Sequence, residues 1–208
     1  MKGIDVSKHN GLINWSSVKE SGIEFAIIRA GFGQNNIDPM AEKNLQGAIS
    51  NGIHVGIYWF SYALSVDMAI KEARFALQLA KRYKLSFPIF FDFEYDSVKY
   101  MKKNGVAFSS NLFNKLCVAF CSEIEKHGYY AGVYANNDYV KNYVSRETLS
   151  NYDLWFASYT IACPRKVNLW QYTSSGSVPG IGGNVDLNIA NIDYPSIIKN
   201  KGLNVWRG

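Results

Sequence analysis

The chain has 208 residues, of which 48% are hydrophobic and 19% are charged, and its formal net charge is +5. This is an ordinary globular composition. The cysteines number only three, and a small, odd number argues against a disulfide framework. No stretch is apolar over the length of a membrane span, so we expect no membrane insertion. The basic residues are scattered, and we expect no nucleic-acid partner.

Strand and helix patterns alternate over the first two thirds of the chain. Strands are predicted at 2–7, 24–33, 54–63, 87–94 and 129–136, and helices at 14–22, 38–52, 66–83, 109–128 and 138–151. Three further strands, at 153–159, 167–174 and 184–191, are joined by Gly, Ser and Pro without a helical pattern. The sequence thus predicts five βα units followed by three strands with little helix.

This element order predicts an α/β fold with a closed barrel. Repeated βα units imply parallel strands with right-handed crossovers. Five such units and three further strands give eight strands, enough to close a barrel. An open doubly wound sheet is the alternative. The barrel is preferred because polar residues recur at the C-terminal ends of so many predicted strands.

The segment FPIFFDFEYD, residues 87–96, carries two carboxylates at the end of an apolar strand. Residues i and i+2 of a strand share a face, so Asp92 and Glu94 project together, with Phe91 and Phe93 on the other side. Close carboxylates repel, and one tends to hold its proton near neutrality, as a general acid must. A strand end that simply turns polar at the surface is the alternative interpretation.

Two more strand ends carry carboxylates, Asp5 in GIDVS and Asp186 in NVDLN. The first and last strands of a closed barrel are neighbours, so we expect Asp5 and Asp186 side by side, facing Asp92 and Glu94 across the mouth. Four carboxylates at one rim suit glycoside hydrolysis. Each of Asp5 and Asp186 alone could equally be a loop-capping residue.

Aromatic residues gather near the same strand ends, where flat rings suit the stacking of sugars. Any one of them could instead be a core residue. The group is Tyr58, Phe60, Tyr62, Tyr134, Trp155, Trp170 and Tyr172.

These motifs, in this order and spacing, are similar to those of a known family. The segments are GIDVSKHNGLINW, FAIIRAGFG, GIYWFSYA, PIFFDFE, GVYAN, LWFASY and LWQYTSSGSVPGIGGNVDLN. They resemble the muramidases of glycoside hydrolase family 25, the Chalaropsis-type lysozymes, over residues 1–195. The resemblance implies an irregular TIM-like barrel of eight strands.

The resemblance also implies an activity, cleavage of the β-1,4 bond between N-acetylmuramic acid and N-acetylglucosamine in bacterial peptidoglycan. Glu94 would donate a proton to the leaving oxygen, and an ionised Asp92 would orient the substrate N-acetyl group that attacks the anomeric carbon. Asp5 and Asp186 would tune Glu94. It implies no metal ligands and no cofactor. The sugar contacts implied by the same comparison are Tyr58, Tyr62, Tyr134 and Trp170.

The resemblance gives a catalytic domain at residues 1–195. Residues 196–208 are interpreted as a tail or as the start of a linker to a wall-binding module outside this sequence. The N-terminus, MKGIDVSKHN, has no apolar core of signal-peptide length. We therefore expect an endolysin, or an autolysin of that origin, that is made in the cytoplasm and reaches the cell wall by another route.

Three other functions are consistent with parts of the sequence. A chitinase-like glycosidase usually has a D-x-D-x-E strand end, but here Phe90 occupies the position of the first acid. A non-catalytic carbohydrate-binding barrel typically lacks the proton donor, whereas this chain keeps Glu94. A metal-dependent hydrolase usually offers paired histidines, and the three histidines here, His9, His54 and His127, are spread over the chain.

Overall fold

The structure is a computed structural model, and it describes residues 1–160 and 167–204. The strands are β1 (Lys2–Val6), β2 (Phe25–Phe32), β3 (Asn36–Ile37), β4 (His54–Phe60), β5 (Ile89–Asp92), β6 (Ala131–Asn136), β7 (Asp153–Ala157), β8 (Leu169–Gly176) and β9 (Val185–Ala190). The helices are α1 (Trp15–Glu20), α2 (Ala41–Ser50), α3 (Val66–Ala80), α4 (Tyr95–Lys103), α5 (Ser110–Lys126), α6 (Asn137–Asn142), α7 (Arg146–Asn151) and α8 (Tyr194–Asn200).

Eight of the strands close into a barrel. Their order is β1-β9-β8-β7-β6-β5-β4-β2, and a parallel pairing of β1 with β2 completes the ring. The strand β9 is antiparallel to both of its neighbours, β8 and β1, and every other pair around the ring is parallel. The predicted α/β barrel is confirmed, and the alternative of an open sheet is wrong. The short β3 pairs only with the end of β2.

The barrel interior is filled by aromatic rings. Phe25, Phe87 and Phe90 are fully buried there, and Trp155 is 1% exposed. Gly3 on β1 leaves room for this packing, since a Cβ atom at that position would lie 2.4 Å from the Phe25 ring. A second apolar layer lies between the strands and the surrounding helices. Because these rings fill the interior, the barrel is not a channel. Polar side chains are found at its ends.

The helix α4 occupies residues that the sequence pattern left unassigned. The lysine-rich stretch at 99–103 forms the second half of this helix. Ser97 and Met101, four residues apart, are buried, while Lys99, Lys102 and Lys103 are exposed. The helix is therefore amphipathic, with a narrow buried stripe. The many lysines make this stripe hard to recognise in the sequence.

The chain beyond β9 continues to pack against the barrel, and the predicted tail at 196–208 does not describe residues 196–204. Helix α8 places Tyr194 and Ile198 in the interior cluster at the start of the parallel strands. Asn204 is 2% exposed; its side chain accepts from the Tyr130 N–H over 2.7 Å and donates to the Phe87 carbonyl over 3.0 Å. Residues 205–208 lie outside the described part of the chain.

Candidate active site

Strand β5 delivers the first pair of carboxylates to the mouth of the barrel. Phe90 points into the interior, and Asp92, two residues later, is on the same side and 4% exposed. Glu94 follows as the residue immediately before α4 and is partly exposed. Phe91 and Phe93 pack in the outer layer. The predicted alternation along this segment is therefore confirmed.

The second pair of carboxylates lies on β1 and β9. Asp5 and Asp186 are directly opposite each other in the antiparallel register of these strands. Because β9 runs against the parallel strands, its beginning lies at the same end as the end of β1. The prediction that these two residues are neighbours is confirmed. The sequence analysis did not predict that β9 runs antiparallel to its neighbours, which is what brings Asp186 to the mouth.

The four carboxylates influence one another's ionisation. Burial raises the pKa of Asp5 to about 8, with the charge of Asp186 and, more weakly, that of Glu94 adding to the shift. Burial also raises the pKa of Glu94 to about 7, with Asp96 and Asp186 contributing, and the pKa of Asp186 to about 6. These pairwise charge effects indicate that the four acids lie close to one another.

Burial and neighbouring carboxylates also disfavour the charge of Asp92. Burial, followed by the charges of Glu94 and Asp5, raises its pKa well above the ordinary value. The sequence led us to expect an ionised Asp92 beside a neutral Glu94. In the structure, burial disfavours the charge of Asp92 as well as that of Glu94.

One oxygen of Asp92 is left without a protein partner. Its Oδ1 is buried and accepts no hydrogen bond from the described residues, whereas its backbone carbonyl accepts from the Ser61 N–H over 2.7 Å. Arg29 on β2 lowers the pKa of Asp92 and forms an ion pair with Asp38 at 2.7 Å. The Nη2 atom of Arg29 is also buried without a partner among the described residues. Buried polar atoms without a partner are uncommon, and these two at the acidic mouth indicate a place for a polar ligand.

Two amide side chains hold Asp5, and the sequence analysis missed both. Gln171 Nε2 and Asn188 Nδ2 donate to Oδ2 of Asp5 over 2.8 and 2.7 Å. These donors oppose the rise in the pKa of Asp5. Asn188 accepts in turn from the indole N–H of Trp155 over 2.8 Å. The network fixes the carboxylate orientation before any substrate arrives.

The oxygen of Gln171 gathers two tyrosines. Its Oε1 accepts from the hydroxyl of Tyr134 over 3.1 Å and from that of Tyr159 over 2.9 Å. Tyr159 is 53% exposed, and burial of its hydroxyl together with the charges of Asp186 and Asp5 raises its pKa to about 12. An exposed ring anchored at the acidic mouth suits a sugar platform. The sequence analysis assigned no role to Tyr159.

The four aromatic residues expected to contact sugar occupy three different environments. Tyr58 and Tyr134 are buried in the interior cluster, and the charges of the acids raise the pKa of both hydroxyls further beyond the effect of burial. Tyr62 is partly exposed beside the mouth. Trp170 packs against the outer layer, on the opposite face of β8 from Gln171. The structure therefore does not bring Trp170 together with the acids.

Comparison with known proteins identifies the family. The model of glycosyl hydrolases family 25 matches residues 4–181. The chain belongs to glycosyl hydrolase family 25. Asp5, Asp92 and Glu94 lie within the matched range, and Asp186 lies just beyond it. The resemblance that the sequence motifs indicated is confirmed.

Relatives of this family 25 chain include named lysozymes. The autolytic lysozyme of Clostridium acetobutylicum is 28% identical over 193 residues, and the alignment covers 90% of this chain and 55% of that protein. This chain thus spans about half the length of that relative. The bacterial lysozyme of Streptomyces coelicolor superposes with a TM-score of 0.81 at 25% identity, covering 95% of both chains.

A third relative was solved with a ligand. The autolysin LytC of Streptococcus pneumoniae, in complex with a synthetic peptidoglycan ligand, superposes with a TM-score of 0.78 at 28% identity. The match covers 90% of this chain and 46% of LytC. The family 25 barrel is therefore shared with proteins that are considerably longer.

Proposed function

We propose that this chain is an N-acetylmuramidase that hydrolyses the β-1,4 bond between N-acetylmuramic acid and N-acetylglucosamine in bacterial peptidoglycan. The observation that carries the proposal is the pair formed by Asp92 and Glu94 at the barrel mouth, with a buried Oδ1 of Asp92 that has no partner among the described residues. Membership of family 25 and the lysozymes among the relatives support the choice of substrate.

The proposed reaction begins with Glu94 as the acid. A pKa of about 7, raised mainly by burial, keeps much of this carboxyl protonated at neutral pH. Glu94 gives its proton to the glycosidic oxygen. At the same time the N-acetyl oxygen of N-acetylmuramic acid attacks the anomeric carbon of that sugar. The leaving sugar departs as an alcohol, and a cyclic oxazolinium remains. Water, deprotonated by Glu94, then opens the ring and restores both the acetamide and the acid.

Asp92 would serve the N-acetyl group throughout. Its partnerless Oδ1 is the acceptor that an acetamido N–H requires. An ionised Asp92 would stabilise the positive charge that develops on the oxazolinium as the ring closes. Deep burial makes that attraction stronger than it would be in water.

Asp5 and Asp186 would act through the effect of their charges on the pKa values of Asp92 and Glu94. Asp186 raises the pKa of Glu94, and Asp5 raises the pKa of Asp92. The charge of Asp186 thereby favours the protonated Glu94 that the first step requires. Tyr62, Tyr58 and Tyr134 would contact sugar from the side and floor of the mouth, and Tyr159 joins them as a further contact.

The cellular setting follows from the same proposal. No helix within residues 1–160 and 167–204 combines the length and the hydrophobicity needed to cross a bilayer. We propose peptidoglycan as the partner and action on the bacterial cell wall, as for an endolysin or an autolysin. A wall-binding module in a longer chain would add affinity for the wall.

Replacing Glu94 by Gln tests the proposal. The substitution keeps the shape and removes the proton, so hydrolysis of purified peptidoglycan should fall by about 10²–10⁴-fold while binding to the insoluble wall is retained. Glu147→Gln, on the exposed surface of α7, is the matched control and should leave the rate unchanged.

Mass spectrometry of the released fragments decides the bond that is cut. Reducing-end N-acetylmuramic acid would support the muramidase. Reducing-end N-acetylglucosamine, or hydrolysis of chitin alone, would overturn the substrate assignment. Binding without any soluble fragments would favour a non-catalytic carbohydrate-binding barrel, and activity lost to a strong chelator would favour a metal-dependent hydrolase.

A further inference from the structure

A groove of about 540 Å³ lies beside the barrel mouth, outside the four acids. One wall is the turn between β2 and β3, including Gln34 and Asn36, and the other wall is α4. Tyr62 and Met68 lie between them. We call this the α4 groove.

The α4 groove lies close to the acidic site through Tyr62 and Asp96. Tyr62 lines the groove, and burial and the charge of Asp96 raise the pKa of its hydroxyl, with smaller contributions from Asp92 and Glu94. Asp96 also lines the groove and contributes to the raised pKa of Glu94. A ligand that enters the mouth therefore has this groove within reach of its side groups.

Helix periodicity gives the groove its charge. Asp96, Lys99, Tyr100 and Lys103 are spaced i, i+3, i+4 and i+7 along α4 and share one face of the helix. Lys99 Nζ pairs with Asp96 Oδ1 at 2.8 Å, so these two charges balance. Lys103 forms no ion pair with any residue in the described part of the chain. The groove is left with one uncompensated ammonium group.

The remaining groove surface suits a peptide. The rings of Tyr62 and Tyr100 meet edge to face with centroids 5.1 Å apart and present apolar surface beside Met68. Amide groups of Gln34 and Asn36 stand on the opposite wall. An extended chain rises about 3.3 Å per residue, so a groove of this size accepts a few residues.

We propose that the α4 groove binds the acidic stem peptide of the peptidoglycan strand, with a peptide carboxylate on Lys103. The inference rests on the proposed function. In an intact strand the lactyl carboxyl of muramic acid is consumed in the amide bond to the peptide, so the free carboxylates of the substrate belong to the peptide. The peptide also leaves the sugar beside the bond that is cut. The groove thus makes the enzyme selective for peptide-bearing glycan.

The test compares two soluble substrates of the same glycan length, one with its stem peptides and one stripped of them by an amidase. Both are freed of phosphate polymers by acid treatment. Lys103→Glu should lower kcat/KM on the peptide-bearing glycan by about tenfold, the loss expected for one charge-assisted hydrogen bond. The value of kcat/KM on the stripped glycan should not change. Lys102→Glu makes the same charge change on the same helix outside the groove, and should lower neither rate appreciably.

Each outcome decides a different point. Equal losses on both substrates, or equal losses for the Lys102 and Lys103 variants, would overturn the groove assignment and leave the muramidase proposal standing. A loss seen only on walls that keep their phosphate polymers would also overturn it, since the partner would then be a phosphate. If the unaltered protein cuts neither substrate, the proposed function itself fails.

Discussion

At Asp5, one carboxylate oxygen accepts hydrogen bonds from two side-chain amides, and this arrangement gives a prediction about pH. Gln171→Met removes one of the two donors, so the pKa of Asp5 should rise further. If ionised Asp5 supports the reaction, the acidic limb of the pH–rate profile should move to higher pH, with activity at pH 6 falling by about tenfold.

Tyr134→Phe is the control for that substitution. It removes a hydroxyl that donates to Gln171 but keeps the Gln171 donor to Asp5. A Gln171→Met profile identical in shape to that of Tyr134→Phe would show that the amide does not tune Asp5.

Residues of the site differ in how far their sequence reveals them. Asp5 and Asp186 could be paired from sequence because a closed barrel makes its first and last strands neighbours. Gln171 and Asn188 could not, since their bonds to Asp5 depend on the register of three strands. One signal was available: Gln171 alternates with Trp170 and Tyr172, so a polar residue and two aromatic ones must occupy opposite faces. That alternation also separates Trp170 from the acids.

At the scale of elements, α3 fixes the loop that carries Tyr62. Glu72 on this helix is fully buried, and it accepts from the Ser61 hydroxyl over 2.5 Å and from the Tyr62 N–H over 3.0 Å. It also accepts from Gln34 over 3.4 Å, across the α4 groove. Burial raises the pKa of Glu72 to about 7. The loop after β4 and the turn after β2 thus depend on one side chain.

Glu72→Leu should therefore cost stability and substrate affinity together. It leaves the Ser61 hydroxyl and the Tyr62 N–H without their acceptor, at about 2–4 kcal/mol of unfolding free energy. Because Tyr62 loses its anchor, KM should rise more than kcat falls. Lys71→Ala, at the neighbouring exposed position of α3, should change neither quantity appreciably. An unchanged KM in a folded Glu72→Leu protein would contradict the positioning role.

The end of the described chain gives a second prediction at this scale. Asn204→Ala removes the acceptor of the Tyr130 N–H and the donor to the Phe87 carbonyl, both at buried positions, and should lower the unfolding free energy by about 2–3 kcal/mol. Chemical denaturation measures this loss. Lys199→Ala, at an exposed position of α8, should change the unfolding free energy by no more than about 0.5 kcal/mol. A loss for Asn204→Ala no larger than this would mean that the segment does not stabilise the barrel.

Both α4 and α8 show why whole elements escaped prediction. Their buried stripes are two residues wide, Ser97 with Met101 and Tyr194 with Ile198. Short helices with so little apolar surface are stabilised by tertiary packing, which a sequence pattern does not display. The longer α3 and α5 carry broad apolar faces and were predicted almost to their ends.

For the molecule as a whole, buried acids reverse the usual effect of pH on stability. Asp186, Glu94, Glu72 and Asp5 have pKa values raised to about 6, 7, 7 and 8. Between about pH 4 and pH 8 the folded protein therefore binds more protons than the unfolded chain. Its unfolding free energy should fall as pH rises through this window. Denaturant titrations at pH 5 and pH 8 measure the difference.

Asp92→Asn should flatten that dependence. The substitution removes a carboxyl whose charge is disfavoured by burial, so it should stabilise the protein at pH 8 by about 0.5–2 kcal/mol, and less at pH 5. Activity should be lost at the same time, since stability has been given up for function here. An unfolding free energy that rises from pH 5 to pH 8 would contradict the assignment of raised pKa values.

The reversal of β9 also decides where the two ends of the described chain emerge. Strand β1 starts, and β9 finishes, at the end of the barrel opposite the acids, where the amino group of Met1 donates to the Ala190 carbonyl over 3.0 Å. Helix α8 and Asn204 lie at that same end. A tether, a label or a second domain joined to either end of the described chain would therefore lie at the end of the barrel opposite the acids. The open face stays free to approach a solid surface such as a multilayered wall.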